Sequence, residues 1–236
     1  MPIRHALPPF TCLLLAACSC AHAGGLAPDA PLTVASVGYA HPSGWSLGTS
    51  VINVDDRFIE NDPVEWDVHG GYSGNAGPIG WYAMVHWYKY PGARRAGTDT
   101  SFDYGELSAG ISWKSLYARY NYTISRDFFG IQHARGTGYL DVGAEQPLSP
   151  TVTLHLHAGD GHVAGRGNGI WDWRDLKAGL TRRLEGGWLV ALNYTRGMGA
   201  ANFNERTTME VPRPDGRTAL SNVARRAIVA SIARKF

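Results

Sequence analysis

The stretch TVTLHLHAG, residues 151–159, alternates with period two. In an extended chain Val152, Leu154, Leu156 and Ala158 fall on one face, and Thr151, Thr153, His155 and His157 on the other. A helix would need apolar residues at spacings of three and four, and none is sustained here. One such strand could belong to many folds. The fold is decided by how often the pattern returns.

It returns along the whole chain. In LYARYNYTIS (116–125), Leu116, Ala118, Tyr120, Tyr122 and Ile124 oppose Arg119, Asn121 and Thr123. VEWDVHGGY (64–72) sets Val64, Trp66, Val68 and Tyr72 against Glu65, Asp67 and His69. Eleven strands are expected, near 32–40, 45–53, 64–73, 80–90, 103–112, 116–125, 137–145, 151–159, 171–182, 188–196 and 223–236. Many have the length that crosses a hydrocarbon layer at a tilt. Connections alternate as well. HPSG, NAGPIG, WKS, EQPLSP and EGG are short, whereas VDDRFIENDP, PGARRAGTDT, RDFFGIQHARG, DGHVAGRGNGI and residues 197–222 are long and polar. Short turns at one end and long loops at the other are the mark of an outer-membrane barrel, and a soluble sandwich gives no reason for them. The expected fold is all-β: an antiparallel transmembrane β-barrel of about twelve strands, eleven of them recognisable.

The N-terminus agrees. Arg4, the apolar run from Phe10 to Ala17 and the motif Ala21-His22-Ala23 read as a signal peptide over 1–23, leaving a barrel domain over 24–236. Leu15-Ala16-Ala17-Cys18 offers a second reading, with Cys18 as a lipidated N-terminus. Both readings export the protein. Cys12, Cys18 and Cys20 are the three cysteines, so cleavage after Ala23 leaves no thiol, no disulfide and no cysteine metal site. No later run reaches the roughly 18 apolar residues of a membrane helix. A formal charge of +2 with no basic block gives no footprint for nucleic acid.

Aromatic residues gather at strand ends. Trp45, Trp81, Trp113, Trp171, Trp173 and Trp188 are candidates for the rings that sit where acyl chains meet headgroups. The chain stops on Phe236, in phase with Ile228, Ala230 and Ile232 and out of step with Arg234 alone. A closing strand bonded on both edges fixes such an end, and a terminal aromatic resembles the signal read by the outer-membrane assembly machinery.

Several fragments also resemble a known family. YAHPSGW…VINVD, VEWDVHGGYSG, WYKYPGA, DYGELSAGIS, DFFG, YLDVGAEQPL, DWRDLKAGL and SIARKF occur in the order found in the TorF family of porin-type proteins. The resemblance runs from about residue 38 to the end, and implies an outer-membrane barrel with a channel role and no catalytic residues. One departure concerns the start: family members open with a further strand bearing an S-D-Y-x-F-R-G-like motif, which is missing here. GGLAPDAP, with two glycines and two prolines, is a poor substitute. Parity raises the same question, because bacterial barrels have even strand numbers.

The candidate lumen lining is Glu65, Asp67, His69, Tyr104, Glu106, Arg119, Asn121, Asp141, Glu145, His155, His157, Asp175 and Lys177. These groups either wet a pore or pair with one another and fill it. His155 and His157 could share a metal with a neighbouring carboxylate, Glu65 and His69 being conceivable third ligands; lumen filling is the plainer reading. Ser112, Ser115 and His86 carry no nucleophile signature. RDFFG (126–130) anchors a loop at the outer interface or packs as girdle. The expected function is a porin-like channel in the bacterial outer membrane for passive diffusion of small polar solutes. Expected partners are membrane lipid and the assembly machinery, with no cofactor, no metal and no enzyme activity. The rivals are a closed structural or adhesive barrel and a lipid-modifying enzyme.

Overall fold

Period-two alternation commits the chain to pairing, because every strand carries one apolar and one polar face and two rows of backbone donors and acceptors. The computed structural model describes residues 12–17, 32–54, 64–95, 98, 100–199, 209–212, 218–221 and 226–236. In chain order the strands are β1 (Cys12–Ala17), β2 (Val34–Ala40), β3 (Trp45–Asn53), β4 (Val64–Ala76) and β5 (Ile79–Lys89). A small hairpin follows, β6 (Arg94–Arg95) with β7 (Thr100–Ser101). Then come β8 (Tyr104–Trp113), β9 (Leu116–Thr123), β10 (Gly138–Pro147), β11 (Val152–His162), β12 (Trp173–Arg183) and β13 (Trp188–Gly199). A second hairpin, β14 (Met209–Pro212) with β15 (Thr218–Ser221), precedes β16 (Arg226–Lys235). Among the described residues two short 3-10 turns interrupt the strands, and no helix is long and apolar enough to cross a membrane.

Consecutive wall strands from β2 to β16 pair antiparallel, so all eleven strands expected from the sequence form. The short turns gather at one end with the C-terminus and the long loops at the other. By this path β2 and β16 both run toward the short-turn end, parallel to one another. β1 lies between them and is antiparallel to both, with Leu14 opposite both Ser36 and Lys235, which completes a ring of twelve. The twelfth position is thus taken by residues of the expected leader. GGLAPDAP lies outside the described residues.

The ring is inside-out relative to a water-soluble barrel. Leu47, Val85, Ile111, Leu156, Leu192 and Ile228 stand exposed on its outer surface, whereas Glu65, Thr123, Asp141, His157, Asp175 and Thr195 are buried within. On β12 the outward positions read Arg174, Leu176, Ala178, Leu180, Arg182. Between the arginines the strand climbs about 26 Å, or about 20 Å once tilted by some 40°, near the height of a lipid-facing band. Arg234, the residue out of step in the last strand, has a local explanation. Its guanidinium lies 5.2 Å from the Trp188 ring centroid and 4.7 Å from that of Phe236, and donates to the Gly186 carbonyl at 3.3 Å. A cation held this way covers apolar surface with its stem while its head reaches the turn.

Candidate functional site

One wall of the lumen carries a continuous polar network across β9, β10, β11 and β12. Register places Arg119 beside Asp141, and Gly159 between Asp141 and Asp175. Arg119 Nε bonds Asp141 Oδ2, and His157 Nδ1 meets Asp141 Oδ1 at 2.6 Å. The other ring nitrogen of His157 meets Asp175 Oδ1, to which Tyr139 also donates, at 3.0 Å to Oδ2. Both aspartates are fully buried, so each charge is met by opposite charge or hydrogen bonds at close range, as buried charges require. Gly159 makes the arrangement possible: a Cβ there would collide with the Tyr139 hydroxyl and the Asp175 carboxylate.

The opposite wall is also polar. Asp67 accepts from Ser50 Oγ at 3.1 Å, and the His69 and His86 rings lie 5.7 Å apart. His86 stacks on Tyr88, and Tyr88 on Tyr104 at 4.4 Å. Glu106 is buried beside Thr123, and Glu65 accepts from Tyr90. Tyr90 lies in the loop after β5, where full burial and then the Glu65 carboxylate hold its phenol well above the usual value.

Between these walls a cavity of about 1030 Å³ rises from the short-turn end. Among its lining residues are Tyr82, Tyr117, Arg119, His155, Lys177 and Asn193. Glu145 stands near its rim, 3.6 Å from His155 Nδ1. Asn121 sits on the inward face of β9, opposite Ser108 and Tyr139 in register. Of the thirteen lining candidates, Arg119, Asp141, His157 and Asp175 form the paired cluster, Glu65, Asp67, His69 and Glu106 stand on the opposite wall, Glu145, His155 and Lys177 line the cavity, and Tyr104 packs among the aromatic rings. Tyr82, Tyr117 and Asn193 were missed, although each is in phase with inward neighbours.

His155 and His157 serve different partners, Glu145 for one and two aspartates for the other. Ser112 and His86 lie six positions apart along the β5–β8 pair, roughly 20 Å, which is too far for a shared proton. Ser115 donates to Gln146 at the β8–β9 turn.

At the long-loop end, packed rings occupy the lumen beside β5, β8 and β12. RDFFG turns inward rather than toward the outer interface. Phe128 and Ile131 exchange backbone hydrogen bonds at 3.0 and 2.8 Å, closing a two-residue turn with Phe129 at φ 47° and Gly130 at φ 75°. Left-handed geometry costs a side-chain-bearing residue about 1–2 kcal/mol, which the packing around Phe129 must offset. The Phe128 ring lies 5.0 Å from Tyr104 of β8 and 6.2 Å from Trp173 of β12, parallel to the latter within 2°. Phe129 packs edge-on against Tyr90 at 5.5 Å and Phe102 at 5.3 Å.

Trp173 consequently stands apart from the expected girdle. It is only 8% exposed and stacks inside the lumen on Phe128 and Tyr139, because it shares the inward phase of Asp175 and Lys177. Trp171 is half-buried in a 3-10 turn beneath Arg95, not on the outer face. Trp45, Trp81, Trp113 and Trp188 are exposed at the short-turn end, Trp45 at 62%. The outer face near the other end carries Trp66 and Trp87, which the reading of strand ends passed over. Trp66 Nε1 donates to Thr49 Oγ1 at 2.7 Å, satisfying the one polar group of an otherwise apolar ring. The 197–222 loop lies largely outside the described residues.

Residues 28–217 match the family described as "Bacterial protein of unknown function (Gcw_chp)". Among solved structures the chain is similar to the KdgM porin, with a TM-score of 0.56 and 7% identity over 96% of this chain and 98% of that one. A KdgM porin in complex with disordered oligogalacturonate gives 0.55, again at 7% identity, over 96% and 97%. At such identity the likeness is one of fold. No curated protein matches the sequence.

Proposed function

This chain belongs to the Gcw_chp family of bacterial proteins, and on that footing we propose that it is an outer-membrane conduit for the passive diffusion of small polar solutes. The observation that carries the reading is a cavity of about 1030 Å³, with Arg119, His155, Lys177 and Asn193 in its lining, inside a ring whose outer surface is apolar. Lipid admits a sheet only when it closes on itself, and an apolar exterior of this kind matches hydrocarbon. The fold shared with a porin supports the same reading, as does the narrower resemblance to the TorF family. Trp45, Trp81, Trp113 and Trp188 then mark the periplasmic interface, and Phe236 the recognition signal for assembly. No step of covalent chemistry is assigned to any residue.

Purified barrel in planar bilayers tests the proposal. Stepwise conductance above background is expected, and a folded preparation that conducts nothing contradicts it. The packed rings at the long-loop end favour one second reading, a closed barrel serving structural or adhesive ends, which folds normally and stays silent in that measurement.

A further inference from the structure

We propose that the loop between β9 and β10 is a gate, with Phe128 and Phe129 as its plug. This rests on the conduit reading and adds a moving part to it. The cavity rises from the short-turn end as far as Arg119 and His157, and the rings lie beyond the buried network, with Tyr139 joining Asp175 to Trp173. Phe128 spans from Tyr104 to Trp173, four strands around the ring, so one side chain on one loop bridges a third of the wall. Phe129 fills the neighbouring space among Tyr90, Phe102 and Tyr104.

Polar contacts fasten the loop holding these rings to two other loops, while its Ile131 and Ala134 are buried beside Val163 and Trp173 and its Ile124 N donates to the Gly105 carbonyl of β8. Arg95, in the β6–β7 hairpin, donates to the Gly130 carbonyl at 3.4 Å and covers the Trp171 ring at 4.8 Å. From the loop between β11 and β12, Asn168 Nδ2 donates to the Gln132 carbonyl at 3.1 Å and Ala164 N to Thr137 Oγ1 at 3.2 Å. Phe129 and His133, in the same loop, are two of the three non-glycine residues at positive φ among the described residues. A strained turn held by its ring packing and clasped by these polar contacts can swing away without breaking the strand-to-strand hydrogen bonds of the wall. A ring lifted from between Tyr104 and Trp173 leaves an aromatic-walled passage.

Single-channel recording on the full-length barrel separates the possibilities, with folding verified by heat-dependent gel mobility and circular dichroism. Wild type should be mostly closed, with brief openings. Phe128→Ala and Phe129→Ala should each raise mean current at least about threefold. Arg95→Ala, which loosens the clasp and leaves both rings in place, should raise opening frequency without changing the open level. Equal currents in wild type and the phenylalanine variants overturn the gate and leave the conduit standing. An unchanged frequency in Arg95→Ala, with higher current in the phenylalanine variants, overturns it in favour of a fixed constriction. Silence from every folded variant removes both.

Discussion

Gly159 is where a single atom decides the arrangement of the lumen wall. At an open strand position, replacing glycine with alanine stabilises by about 0.4–1 kcal/mol through the unfolded chain. Here the added methyl would meet the Tyr139 hydroxyl and the Asp175 carboxylate in a fully buried network. Gly159→Ala should therefore destabilise by about 1–3 kcal/mol, as overpacking does. Urea unfolding in lipid vesicles reads the sign, and a stabilised variant would mean that the Tyr139–Asp175 contact does not hold the wall. The partners were legible in part. Asp141, His157 and Asp175 are inward by phase alone, but their convergence depends on register, which no single strand encodes.

At the scale of elements, the strands were readable because period two is a local property. Expected spans such as 45–53 and 188–196 match β3 and the start of β13, and the alternation of short and long connections gave each strand its direction. Trp173 shows the cost of setting phase aside: proximity to a strand end suggested a girdle, while its step of two from Asp175 already placed it inside. The plug was not legible, since loop packing has no period and RDFFG carries no sign of which way it turns. The seam is the other element-scale question. Cleavage after Ala23 removes β1, and the parallel strands β2 and β16 must then meet directly or through another strand. Intact-mass measurement on protein extracted from outer membranes should show a chain beginning at Gly24, and retention of Cys12–Ala17 would contradict the leader. In the same cells, deleting Phe236 should lower the yield of assembled barrel.

For the whole molecule, everything depends on which way each face looks. Apolar residues cover the outside of the ring and most polar ones line its inside, an arrangement that suits hydrocarbon, which offers no hydrogen-bonding partners. The cavity opens at the short-turn end and rises to Arg119 and His157, while packed aromatic rings occupy the long-loop end. The most direct measurement is thiol labelling of single cysteines placed in a cysteine-free background and assembled in vesicles, using a water-soluble reagent. Positions 153 and 155 on β11, with 231 and 233 on β16, should label quickly, and positions 154, 156, 228 and 232 should stay protected until the membrane is dissolved. Labelling that ignores the alternation, or that favours the apolar set, would contradict the account.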